Sequence, residues 1–132
     1  MNKNSVAHFE IYADDADKLG QFYTSLFDWK IEKMPGMDYG LIKTVETDQK
    51  GMPTKAGGIN GGILNRPKGY DGHAWINYVN VDSLDASVER AQKLGAKLMK
   101  PKTAVPNMGW FAMLTDPQGN AFAMWQSDSK AA

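Results

Sequence analysis

An order of secondary-structure elements that occurs twice restricts the fold of this chain more than any other feature. Val6 to Ala13, VAHFEIYA, alternates and is rich in strand formers. Asp14 and Asp15 follow and can cap a helix. Leu19, Phe22, Tyr23, Leu26 and Phe27 then recur at helical spacing, which predicts an amphipathic helix from about Asp15 to Phe27. Strands are expected at Trp29 to Met34, Tyr39 to Val45 and Ala56 to Leu64, separated by Pro35-Gly36 and by the polar stretch Glu46 to Lys55. After the linker Arg66 to Gly72 the order returns. His73 to Val81 reads as a strand, Asp82 as the cap of a helix carrying Leu84, Val88, Ala91 and Leu94, and Gly95 as its stop. Ala96 to Met99, broken at Pro101, and Trp110 to Leu114 read as strands. Ala121 to Trp125, after a turn at Asp116 to Gly119, is the last.

The two acidic caps, Asp15 and Asp82, lie 67 residues apart. Each half is β-α-β-β-β, with module 1 at about residues 5–65 and module 2 at about 73–127 of one domain of 132 residues. Two such modules can pair into one curved, mostly antiparallel sheet, with helices on its outer face and a concave inner face left for a ligand. The expected class is α+β.

Charge and composition narrow the partners. Fifteen basic residues balance fifteen acidic ones, and neither sign forms a long block. That argues against a nucleic-acid groove or a polybasic membrane surface. There is no cysteine, hence no disulfide, thiolate ligand or Cys nucleophile. No serine sits in a nucleophile-elbow pattern. No apolar run approaches the roughly 20 residues of a membrane span. Met1 to Ser5 leads into the first strand without an apolar signal segment. The expectation is a soluble cytoplasmic protein whose partner is a small organic molecule, with a homodimer left open.

The strand period puts His8, Glu10 and Tyr12 on one face and Phe9 and Ile11 on the other. The apolar pair belongs with the helix stripe, so the polar three are expected to line the ligand cavity. A histidine beside a glutamate can also serve as an acid–base pair. Gly57-Gly58 and Gly61-Gly62 lack the Lys-Ser/Thr of a phosphate loop and indicate close backbone approach or a bulge instead. Asn60 between them is a candidate polar contact. Trp110, after the loop Pro106-Asn107-Met108-Gly109, is the candidate stacking residue at the cavity mouth. Lys97, Lys100 and Lys102 read as a solvated face.

Several stretches resemble the vicinal oxygen chelate superfamily of glyoxalase I, bleomycin-resistance proteins and extradiol dioxygenases. HFEIYADDADKLGQFY, His8 to Tyr23, is similar to its opening strand, acidic cap and helix. VDSLDASVERAQKLGA, Val81 to Ala96, is similar to the opening of its second module, and DPQGN with the strand after it to its closing hairpin. MPGMDYGLI, GGINGGIL and AFAMWQ are similar to a poorly characterised glyoxalase-like branch. The resemblance implies four metal-ligand positions, two per module. They fall on His8, near Asn60 to Ile63, on Ile76, and on Ala123 where the family writes an acid. Only the first carries a ligand-type side chain, so no metal and no other cofactor is expected. The resemblance leaves three alternatives to a metal-free binder. One is a lyase or dioxygenase in which His8 is joined by His73, Glu10 or Glu46. Another is a metal-free enzyme using His8 and Glu10 for proton transfer, and the third is a non-catalytic interaction module.

Overall fold

The computed structural model describes residues 4–132. The chain is α+β, and the described residues form eight strands and two helices in the order β-α-β-β-β taken twice. Its residues divide into two compact units, His8–Trp75 and residues 4–7 with Ile76–Ala132. Among the described residues no helix is long and apolar enough to cross a membrane.

The first βαβββ set is β1 (Val6–Ala13), α1 (Ala16–Leu26), β2 (Lys30–Lys33), β3 (Gly40–Lys43) and β4 (Asn60–Asn65). The strands lie in the order β2-β3-β4-β1. β2–β3 and β3–β4 are antiparallel, whereas β1 and β4 run parallel in a register that pairs His8 with Asn60 and Glu10 with Gly62. Asp15 is the N-cap of α1: its backbone is extended and its carboxylate accepts from the Lys18 N–H at 3.1 Å.

The core of this unit is Phe9, Ile11, Ile42 and Ile63, with Ala16, Leu19 and Tyr23 of α1 packed against them. The helix seats differently from the expected stripe. Phe22 and Leu26 are 55% and 59% exposed, and the face turned inward is Ala16, Leu19, Gly20 and Tyr23. Gly20 explains this, because the Ile31 side chain comes within 3.3 Å of where its Cβ would stand. A residue without a side chain lets the helix settle onto β2, and positions i, i+3, i+4 and i+7 follow it inward.

The second set is β5 (Ile76–Asn80), α2 (Leu84–Lys93), β6 (Lys97–Val105), β7 (Gly109–Thr115) and β8 (Ala121–Ser127), in the order β5-β8-β7-β6. β5 and β8 are parallel and the other pairs antiparallel. Leu84, Ala112, Leu114 and Met124 form the core, with Val88 and Ala91 of α2 packed on it. The N-cap of α2 is Ser83 rather than Asp82. Its hydroxyl accepts from Ala86 N–H, while the Gln126 side chain takes the Leu84 N–H at 2.7 Å.

Several strand boundaries differ from expectation: β4 begins at Asn60, which leaves Ala56 to Ile59 in the preceding loop. β5 begins at Ile76, which leaves His73 in the preceding loop. β6 continues through Pro101, with register shifts between Leu98 and Lys100 and between Lys100 and Thr103. β6 is the outer strand of its unit, where a missing N–H costs no ladder bond. Lys97, Lys100 and Lys102 on this strand are exposed, as are Lys30 and Lys33 on β2, the outer strand of the other unit.

Candidate functional site

The face of β1 turned away from α1 carries His8 and Glu10, since Phe9 and Ile11 are buried against the helix side. A third residue completes the group. Tyr39, just before β3, donates its hydroxyl proton to Glu10 Oε2 at 2.9 Å. His8 Nε2 lies 3.1 Å from the Tyr39 oxygen and 3.3 Å from the same carboxylate oxygen. The Glu10 side chain is 13% exposed and that of His8 32%. Burial first, and the Glu10 carboxylate second, push the Tyr39 phenol far above its ordinary value. It stays protonated and acts as a donor.

The glycine pair of β4 makes this arrangement possible. A Cβ on Gly62 would overlap the hydroxyl and ring of Tyr39, and one on Gly61 would overlap Phe9. Each glycine clears room for one aromatic ring, on opposite faces of the strand. Close approach is therefore the reason for the pair: the Phe9 carbonyl and ring at Gly61, and the Tyr39 ring at Gly62.

The other candidate residues are placed as follows. Tyr12 follows Glu10 on the same face and meets the Tyr70 ring edge-on at 5.1 Å. The Asn60 side-chain oxygen accepts from the Thr44 and Val45 N–H groups at 2.8 and 3.2 Å, closing the end of β3. Its Nδ2 is buried without a hydrogen-bond partner. Trp110 packs on the α2 side of its unit, donates Nε1–H to Asp128 at 2.9 Å, and has the Lys102 ammonium 4.6 Å from its ring. The same ammonium donates to Asp85 at 3.1 Å. Asp128 is held below the usual carboxylate range, chiefly by the Trp110 hydrogen bond.

A groove of about 500 Å³ lies elsewhere in the His8–Trp75 unit, at the end of β1 and the start of α1. Leu19, Tyr23, Arg66, His73 and Trp75 help to line it. Its arginine is already engaged: Arg66 donates to the Gly72 carbonyl at 2.6 Å and to Asp14 at 3.1 Å, with His73 Nδ1 3.5 Å away. The chemistry-bearing cluster is His8, Glu10 and Tyr39, and we place the candidate site there. Tyr39 was not among the candidates from sequence; the adjoining glycines were the signal that a bulky group comes close to β4.

The model of the Glyoxalase/Bleomycin resistance protein/Dioxygenase superfamily matches residues 5–124. The chain belongs to that superfamily. This glyoxalase-superfamily chain is 29% identical over 122 residues to CFP32 of Mycobacterium tuberculosis, covering 90% of this chain and 44% of the relative. It is 29% identical over 126 residues to the anthracycline biosynthesis protein DnrV of Streptomyces peucetius, covering 91% and 46%. The chain thus spans less than half the length of these two relatives. A Streptomyces coelicolor methylmalonyl-CoA epimerase in complex with 2-nitronate-propionyl-CoA shares the fold, with a TM-score of 0.65, 13% identity and 99% of each chain covered.

The superfamily's metal can be tested against the residues that stand at each implied position. His8 is already hydrogen-bonded to Glu10 and Tyr39. Between Asn60 and Ile63 the one polar side chain is that of Asn60, whose oxygen already accepts from the Thr44 and Val45 N–H groups, and the phenol of Tyr39 fills the space above Gly62. Ile76 and Ala123 are both 0% exposed and offer no lone pair. His73 stands beside the Arg66 guanidinium, which opposes a second cation. Among the described residues no three His, Cys, Asp or Glu side chains converge as a metal-binding group. The donor set does not fit a divalent ion.

Proposed function

We propose that this glyoxalase-superfamily chain binds a small organic molecule without a metal, on the sheet face that carries His8, Glu10 and Tyr39. The observation that supports this reading is the hydrogen-bonded cluster itself. A half-buried imidazole, a largely buried carboxylate and a phenol share two contacts to one carboxylate oxygen. Buried polar groups of this kind are costly to keep unless they specify something. By register, Leu41 of β3 and Leu64 of β4 flank them on the same face and supply apolar surface. A few converging polar groups beside apolar walls are what a small-molecule site requires. A cytoplasmic location and a homodimeric state belong to the same reading.

The test is a broad ligand screen by thermal shift. A ligand at about 100 times its dissociation constant adds roughly 2.7 kcal/mol of stability. A compound that stabilises the wild type should lose that effect in Tyr39→Phe and Glu10→Gln and keep it in chelator. Stabilisation that requires a divalent ion, or that survives both substitutions unchanged, refutes the proposal. The 3.3 Å approach of His8 to Glu10 favours a second reading, proton transfer on the bound molecule. Turnover of a screening hit, abolished by His8→Gln, distinguishes it from binding alone.

A further inference from the structure

We propose that the groove between the start of α1 and the Arg66–Trp75 loop is a second ligand site, on the helix side of β1. It takes a planar aromatic carboxylate, with the ring against Phe22, Tyr23 and Trp75 and the acid on Arg66. The site lies apart from the His8, Glu10 and Tyr39 cluster and does not depend on a ligand binding there.

The groove's volume of about 500 Å³ falls within the roughly 300–1,000 Å³ of small-molecule sites. Its floor is apolar, made by buried Ile11 and Ala13 of β1 with Leu19 of α1. Its wall is aromatic. The Tyr23 ring meets Phe22 at 5.1 Å and Trp75 at 6.0 Å, edge-on in both cases, so three rings run together. Phe22 nevertheless stays more than half exposed, and Trp75 is 42% exposed although it also stacks on Phe9. Two large aromatic side chains left in water along one groove mark apolar surface that a ligand would cover. A flat ring is the shape that packs on ring edges and faces.

The polar end selects the charge. The Arg66 side chain is 14% exposed, and its bond to the Gly72 carbonyl at 2.6 Å holds the guanidinium in place. A guanidinium has five N–H groups. Another of them goes to Asp14 at 3.1 Å, an acid whose side chain is 88% exposed. An ion pair with so exposed a partner is worth little. An incoming carboxylate can therefore replace Asp14 on the same fork while Gly72 keeps the fork fixed. Asp15 opposes that anion weakly, because its carboxylate caps α1 at the positive end of the helix dipole. Lys18 lines the same groove and adds a second cation. A cationic ligand would meet both positive groups.

The experiment titrates the full chain with three probes that share one ring system and differ in charge: 1-naphthoate, 1-naphthylmethanol and 1-naphthylmethylammonium. Binding is followed by amide chemical shifts. Naphthoate should bind tightest and the ammonium weakest. Arg66→Gln should weaken naphthoate about tenfold or more, as loss of a charge-assisted hydrogen bond does, and leave the alcohol unchanged. Should Arg66→Gln fail to fold, Arg66→Lys carries the test, because it keeps the charge and loses the planar fork, and naphthoate should still bind less tightly. Phe22→Ser, at an exposed position, should weaken all three probes alike. Glu10→Gln and Tyr39→Phe should leave naphthoate binding as it is. The proposal is overturned by the absence of shifts at millimolar probe, by equal affinities or by tightest binding of the ammonium. Naphthoate affinity unchanged in the Arg66 variant that folds, or in Phe22→Ser, overturns it as well. Loss of naphthoate binding in Glu10→Gln or Tyr39→Phe would move the probe to the other face of β1 and remove the second site.

Discussion

Substituting Gly62→Ala places one methyl group where the Tyr39 ring lies. The backbone of Gly62 is not in the left-handed region, so the chain itself tolerates alanine there. Stiffening the unfolded chain would by itself add about 0.4–1 kcal/mol of stability. Steric overlap outweighs this, since overpacking a close-fitted site costs about 1–3 kcal/mol. The ring must also leave Glu10, and losing a hydrogen bond to a charged, largely buried group costs about 1.5–3 kcal/mol. The balance is a loss of roughly 2–5 kcal/mol, read as a lower midpoint in urea denaturation. Removing the ring should relieve the clash. The double variant Gly62→Ala/Tyr39→Ala should therefore be more stable than the two single losses imply, with a coupling of about 0.5–3 kcal/mol. A Gly62→Ala protein as stable as wild type, or a double variant whose losses simply add, refutes the packing of Tyr39 on β4.

Other outcomes follow from the same contacts. Phe9→Ala should cost roughly 3–5 kcal/mol in denaturation, because Phe9 is 7% exposed and stacks on Trp75 at 5.2 Å. Glu10→Gln, measured the same way, should change stability far less and act on ligand binding. Asp116 is held below its ordinary value, first by the Asn120 side chain and then by turn N–H groups. Its folded pKa is depressed, so its contribution is present above the unfolded value of 3.8 and is lost as pH falls through the folded one. Asp116→Ala should flatten the melting temperature's fall below about pH 4, as read by an acid titration of thermal unfolding. Trp110→Phe should return Asp128 toward the ordinary carboxylate range, which carboxyl NMR titration would register.

Local signals proved the most legible. The period of β1 separates Phe9 and Ile11 from His8 and Glu10 without knowledge of any partner, and the structure has the apolar pair against α1. Asp15 caps α1, and the Asp116 turn closes on itself, with Gly119 at positive φ. Features that depend on distant packing were harder to read. Tyr39 reaches Glu10 from 29 positions away, and nothing in MPGMDYGLI alone shows where its ring goes. The rotation of α1 that exposes Phe22 depends on Ile31 meeting Gly20. Pro101 reads as a strand end unless β6 is known to be an outer strand. The four ligand positions read by resemblance sit among residues whose packing the sequence did not show. Ala123, the missing acid, pairs with Tyr78 and Met113 inside a closed core.

The lysines on the outer strands bear on how copies of this chain meet. β2 carries Lys30 and Lys33, and β6 carries Lys97, Lys100 and Lys102 beside a proline. An unpaired strand rim is a template for another chain's backbone, and ammonium groups and proline make that docking unfavourable. Bringing a second β6 alongside would set like charges against each other and leave Pro101 without an N–H to donate. Those charges disfavour rim-to-rim pairing even where Leu98 and Met99 lie exposed between the lysines. Replacing Lys97 and Lys100 by threonine and valine would remove part of that protection and leave a β-prone exposed ribbon, a change that should lower solubility.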